Sequence, residues 1–452
     1  MSEAAEFEVT PAGAVDLEEE DTAESDNTPQ SRWALVRLVC VIAVLVGVFF
    51  YFGLANLLLV ITVLIVMVML HELGHFATAK WTGMKATEFF VGFGPRLWSI
   101  RRGETEYGVK AVPAGGYVRI IGMSSMEEIH PDDEPRAYRN QSFPKRIVVA
   151  AAGSAMHFLL AFVLAFIALT FIGRPDPSVV TVSNYLAIDG GATTPAQSAG
   201  IKPGDRIVSV NGVKITSPET LSSVVHASVG QPLNVVVTRS GVTKDFTVTP
   251  MDGRNAAING TPLAPKNGPA TGYLGVSLGE GSATVNLLNA VPQSLSVVRS
   301  ATAASVAGIG HLFSPSGLSN YAKTVIHPDG SSSSNNSATP TTQAQSRPES
   351  IIGAVRTATQ GADQGTLTLL EVLISINIFI GLINLLPMLP LDGGHVVIAL
   401  YEWVRTRKGK PRYQADVSKM MPVVYAFVAF LLLLVSTSVY LDLTHPVANP
   451  FK

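Results

Sequence analysis

The sequence predicts a polytopic α-helical membrane protein, four or five transmembrane helices with a small α+β domain inserted between them. Three observations carry that prediction. Of 452 residues, 47% are hydrophobic and only 15% charged, which excludes an ordinary soluble enzyme. The apolar residues gather near 34–69, 147–172, 367–386 and 420–441, each block at least about 20 residues long, as a bilayer requires. Between the second and third blocks, residues 175–251 change to short alternating runs such as RIVSV (206–210) and LNVVVT (233–238), with a helical pattern at 221–227.

Taken in order, residues 1–32 read as a disordered acidic tail, with three consecutive glutamates from Glu18 and no Lys or Arg before Arg32. The first apolar block exceeds one straight span, so it reads as an extra transmembrane helix at 33–53 and a second at 54–80, folded near GLAN at 53–56, or as a single tilted or bent helix. No small-residue cleavage site follows the first part, and the segment reads as retained rather than as a signal peptide. Lys80, Lys85, Arg96, Arg101, Arg102, Lys110, Lys145 and Arg146 mark 81–146 as cytoplasmic. A helix at 147–173 then leads outside, to the α+β domain at 174–285 and to amphipathic helices with a serine-rich linker at 286–365. A helix and a broken segment at 366–402, a basic cytoplasmic loop at 403–419 and a last helix at 420–441 complete the chain. The single cysteine, Cys40, lies in an apolar run and can form no intramolecular disulfide.

Chemistry enters at MVMLHELGHFATA, residues 67–79. On a helix, His71 and His75 share one face and can both approach a zinc ion, which leaves Glu72 beside the metal as general base. Ionisable groups at the end of a membrane-length apolar helix are costly, so the motif is read as functional. Catalytic zinc takes three protein ligands, and the third must come from elsewhere in the chain. The segment NLLPMLPLDGGHVV, 384–397, breaks a helix at membrane depth with prolines and glycines and offers both Asp392 and His395. Spacing alone leaves either as the ligand.

HELGH followed far downstream by NLLPMLPLDGGH resembles the site-2 protease family of intramembrane zinc metalloproteases. The likeness continues through residues 91–123 and is nearest the group that resembles the regulator of sigma-E protease, actinobacterial relatives included. It implies one catalytic zinc held by His71, His75 and Asp392, with Glu72 as the catalytic carboxylate. Asn384 would hydrogen-bond the substrate backbone. Residues 104–112 with PAGGY at 113–117 resemble the family's membrane-associated β-hairpin, so Gly115, Gly116 and Tyr117 are expected at the substrate. One stretch departs from the pattern: Gly153, Ser154, Ala155, Met156 and His157 stand where the family has Gly-Pro-x-x-Asn. His157 is read as replacing the asparagine's hydrogen bond, as modulating metal access, or as a histidine satisfied inside the helix bundle.

SAGIKPGDRIVSVNG at 198–212 resembles the PDZ domains of bacterial envelope proteases, and Tyr273, Leu274, Gly275 and Val276 resemble a carboxylate-binding loop. The resemblance implies regulated intramembrane proteolysis in a bacterial plasma membrane, the PDZ domain outside. The expected substrate is a single-pass protein such as an anti-sigma factor, cut first by an upstream site-1 protease. Membrane lipid is an expected partner and nucleic acid is not. The rival readings are a non-catalytic PDZ scaffold and a metal transporter, and neither gives Glu72 a task.

Overall fold

The computed structural model describes residues 32–123, 127–327, 348–406, 413–447 and 449–451. The acidic tail and the serine-rich linker lie outside the described residues, and the basic loop lies partly outside them. Among the described residues five helices are long and apolar enough to cross a membrane: Trp33–Tyr51, Ala55–Trp81, Phe143–Ile172, Thr366–Asn384 and Val417–Thr444. Two compact units, Met1–Lys145 and Arg146–Lys452, make up the chain.

In the first unit, α1 (Arg32–Tyr51) and α2 (Ala55–Trp81) divide the first apolar block. The break is local chemistry. Gly53 takes φ +69°, while Leu54 N–H donates to the Phe49 carbonyl at 2.8 Å and Gly53 N–H to the Phe50 carbonyl at 3.1 Å. These paired bonds close a helix end and favour a residue without a side chain. The same device ends α2 at Gly83, where Met84 N–H donates to the Ala79 carbonyl.

Strands β1 (Ala86–Arg102) and β2 (Thr105–Ile120) follow, and both bend. Residues near 86–91 of β1 pair with 106–109 of β2 on one side and with 116–120 on the other, while 96–102 pair with 105–110. Two strands thus give four segments in the order 96–102, 105–110, 86–93, 112–120, with the last at an edge. The hairpin expected within 104–117 is therefore wider, because those residues form a single strand whose partner begins at Ala86. Gly92 at φ +84° lets β1 bend, and a Cβ there would lie 2.7 Å from the Val112 carbonyl oxygen. Glu104, beside the β1–β2 turn, binds Arg136 through Nη1 and Nη2 at 2.6 and 2.9 Å and pairs with Lys80 at the end of α2.

The second unit opens with α3 (Phe143–Ile167), which begins at the unit boundary and runs on through a π turn to Ile172. A β-domain follows. Its strands are β3 (Arg174–Tyr185), β4 (Arg206–Val210), β5 (Val213–Lys214), β6 (Leu233–Arg239) and β7 (Val242–Val248), with helices α4 (Pro195–Ala199) and α5 (Pro218–His226). Two small ladders, β8 (Met251–Asp252) with β11 (Gly272–Tyr273) and β9 (Ala257–Ile258) with β10 (Thr261–Pro262), precede β12 (Val276–Ala283). The main sheet has the order β12-β3-β4-β6-β7, with β5 on β4, so β12 is an edge strand. Alternate residues of β6, Leu233, Val235 and Val237, join Ile207 and Val210, which flank an irregularity in β4, and Leu221 and Val225 of α5 in one core. Fully burying such a side chain contributes about 1.5–3 kcal/mol. Asp205, buried in the glycine-aspartate turn before β4, is held by Arg239 through two 2.6 Å bonds and by Lys202 N–H.

Beyond β12 come α6 (Leu287–Leu312), α7 (Pro315–Ile326), α8 (Ile351–Gln364), α9 (Thr366–Asn384), α10 (Asp392–Arg405) and α11 (Met421–Thr444). Val297, Val298 and Ala301 of α6 pack with Ala161 and Ala165 of α3 and with Ile374 and Ile378 of α9. Small residues at these contacts permit close helix approach. Arg146 at the start of α3 and Glu402 of α10 form a buried ion pair, and Glu402 also accepts Ala415 N–H at 2.8 Å.

Candidate metal centre

Helix α2 buries one stripe, Val60, Met67, His71, Gly74, His75 and Ala79, at intervals of three, four and seven residues. His71 and His75 are 8% and 4% exposed, and their Nε2 atoms face each other at 3.2 Å. Two imidazole lone pairs cannot face each other so closely without a proton or a cation between them. Two nitrogens each about 2.0–2.1 Å from one tetrahedral zinc lie roughly 3.3 Å apart, so this pair fits zinc.

Glu72 is half-buried, and its Oε2 accepts the backbone N–H of Val118 at 3.0 Å. Val118 lies on the edge segment of β2, which reaches α2 closely because of two glycines. A Cβ on Gly116 would lie 2.4 Å from Met69 Sδ and 3.0 Å from the Phe90 carbonyl oxygen. Gly115 has φ +144°, with the Phe93 ring 3.1 Å from an added Cβ. The Tyr117 ring stacks on Phe90, and its hydroxyl bonds Glu88 and accepts from Lys110 Nζ at 2.7 Å. Burial first, then Glu88, pushes the Tyr117 hydroxyl well above the ordinary tyrosine range, so it stays protonated.

The second unit carries the other predicted residues. Asn384 is the last residue of α9 and Asp392 the first of α10, with His395 one turn further on. The intervening prolines break the helix, and the backbone folds back on the new one. A Cβ on Gly393 would lie 2.2 Å from the Leu386 carbonyl oxygen, and one on Gly394 would lie 2.6 Å from Leu389 N. Helix α10 thus starts with a carboxylate where the backbone N–H groups and helix dipole favour negative charge. His157 on α3 is 2% exposed, and its Nδ1 lies 3.0 Å from Asn377 Oδ1 on α9. Asn377 Nδ2 donates to the Leu373 carbonyl, so its Oδ1 accepts from His157, which also lies within electrostatic reach of Asp392.

Tyr273 ends β11 and Val276 begins β12, with Leu274 buried between them. The Leu274 carbonyl accepts from Ala196 N–H at 3.0 Å and the Gly275 carbonyl from Leu186 N–H at 2.9 Å. Two residues escaped sequence reasoning. Val118 acts through a backbone amide, which leaves no mark in the sequence; Asn377, a polar residue inside an apolar span, could have been found by that contrast.

A histidine pair flanking a carboxylate, on a buried stripe of a membrane-length helix, defines a membrane metallohydrolase. The chain belongs to peptidase family M50, whose model matches residues 59–431. It is 32% identical over 411 residues to the zinc metalloprotease Rip1 of Mycobacterium tuberculosis, covering 85% of this chain and 96% of that protein. The Mycobacterium bovis protein of that name matches to the same extent. Rip1 of Mycolicibacterium smegmatis is 32% identical over 427 residues, 88% of this chain and 99% of the relative. The protein is a membrane zinc metalloprotease of the site-2 protease family.

Proposed function

We propose that the protein cleaves single-pass membrane proteins within or beside their transmembrane helices, with His71, His75 and Asp392 holding one zinc and Glu72 serving as general base and acid. One observation carries the reading: the edge segment of β2 reaches Glu72 through the Val118 amide at 3.0 Å. A transmembrane helix hides its carbonyls in its own hydrogen bonds and has to unwind before it can be hydrolysed. An unwound stretch adding to that edge would set its peptide bonds beside Glu72. Zinc, when bound, supplies Lewis acidity, polarising the scissile carbonyl and easing the ionisation of water. Glu72 takes the water's proton and returns it to the departing amine. Gly115 and Gly116 keep the edge close to α2, Tyr117 braces it, and Asn384 hydrogen-bonds the substrate backbone.

The β-domain is a PDZ domain in this reading, with Tyr273, Leu274, Gly275 and Val276 as its peptide-binding loop and the free edge of β12 beside them. It lies outside a bacterial plasma membrane and admits substrates already trimmed by an upstream protease, anti-sigma factors among them. The purified protein in detergent, given a tagged anti-sigma factor in trimmed and full-length forms, is expected to cut the trimmed form within its span and spare the full-length one. Cleavage of both forms at one rate, or cuts only in soluble regions, would overturn the reading.

A further inference from the structure

A cavity of about 510 Å³ lies in the second unit where the end of α3, helix α6 and the first turns of α9 meet; its walls include Leu169, Arg174, Gln293, Val297, Glu371 and Ile374. Most of the wall is apolar, yet three polar side chains converge on it, Glu371, Gln293 and Arg174. Glu371 is exposed in the second turn of a membrane-length helix, and among the described residues nothing hydrogen-bonds or pairs with its carboxylate. The Gln293 Oε1 atom is buried and has no hydrogen-bond partner among the described residues. Arg174 is exposed at the end of the α3 span, with Asp176 within electrostatic reach. A carboxylate near the end of a membrane-length helix gains from a cationic partner, and an apolar cavity with a few convergent polar groups is the usual form of a ligand site.

We propose that this cavity binds the headgroup of a glycerophospholipid that carries a primary ammonium. An ammonium offers three N–H donors, and Glu371 and Gln293 Oε1 both accept. The neighbouring phosphate matches the Arg174 guanidinium, and Leu169, Val297 and Ile374 cover the apolar glycerol end of the chains. A choline headgroup has no N–H to donate, and a glycerol headgroup brings no positive charge to Glu371. A peptide helix about 10–12 Å across would fill this volume with about one turn, so a substrate span does not fit.

The test uses the purified full-length chain in micelles containing equal amounts of phosphatidylethanolamine, phosphatidylcholine and phosphatidylglycerol, and counts retained lipids by native mass spectrometry. The parent is expected to retain the ethanolamine lipid about tenfold over each of the others, the discrimination of one charge-assisted contact. Glu371→Gln is expected to bring the three to parity, and Val297→Trp, which fills the cavity without touching a charge, to lower all retention. Equal retention by the parent overturns the proposal whatever the variants do. So does undiminished preference in a folded Glu371→Gln protein, or a retained peptide in place of lipid.

Discussion

Val118→Pro removes the backbone N–H, and with it replaces the valine side chain and fixes φ at about −65°. The amide points away from its ladder partner Phe89 and towards Glu72 Oε2 at 3.0 Å, an ordinary N–H···O length. Proline is tolerated on an edge strand where the lost N–H makes no ladder bond. Hydrogen bonds to charged groups contribute about 1.5–3 kcal/mol, and a half-buried carboxylate belongs at the lower end. At about 1.4 kcal/mol per decade, kcat should fall roughly 10- to 30-fold if this bond orients Glu72 for proton transfer. Turnover of a fluorogenic peptide by detergent-purified protein reads the change, with zinc measured in the same sample. A backbone ester at position 118, which keeps the valine side chain, should reproduce it. A kcat within about twofold of the parent, with zinc retained, would refute the positioning role.

Other consequences follow from the same geometry. The Arg136 hydrogen bonds, joined by Lys80, outweigh burial and bring the Glu104 carboxyl from 4.5 down to about 2. The folded value lies below the unfolded one, so the contribution is complete above about pH 4.5 and is lost as pH falls towards 2. Thermal unfolding between pH 6 and 3 should show a shallower loss of stability in Glu104→Gln than in the parent, and equal slopes would count against the network. Asn377→Leu leaves the buried His157 donor without its acceptor and should cost about 1–3 kcal/mol, read as a lower melting temperature; no change would mean that the pair carries no stability. Gly116→Val forces Met69 aside and presses on the Phe90 carbonyl, so activity should fall with a stability loss of about 1–3 kcal/mol. Activity at parent level would show that β2 need not lie so close to α2.

The sequence announced α2 and its histidines clearly, because an HExxH run on an apolar helix combines two independent signals, cost and spacing. The excess length of the first block pointed to a division near Gly53 but fitted a single bent helix as well. Spacing could not choose between Asp392 and His395, since Asp392 begins α10 and His395 lies one turn further along the same helix, three residues away. The first arm of the sheet was hidden for a different reason. Gly92, Gly94 and Pro95 interrupt any strand alternation, yet the bends they allow let one strand pair on both sides. Helix α6, expected only as one of the amphipathic helices of 286–365, packs on α3 and α9 through Val297, Val298 and Ala301, contacts that its amphipathic pattern did not specify. The Glu72–Val118 bond belongs to the backbone and to tertiary placement, where side-chain identity carries no information.

The most direct test of the central claim measures zinc per chain and cleavage of a trimmed single-pass substrate side by side, in the parent, Glu72→Gln, His75→Ala and Asp392→Ala. The account predicts one zinc and cleavage in the parent, one zinc without cleavage in Glu72→Gln, and neither zinc nor cleavage in the two ligand variants. Cleavage by Glu72→Gln, or zinc held at the parent level without His75 or Asp392, would contradict it.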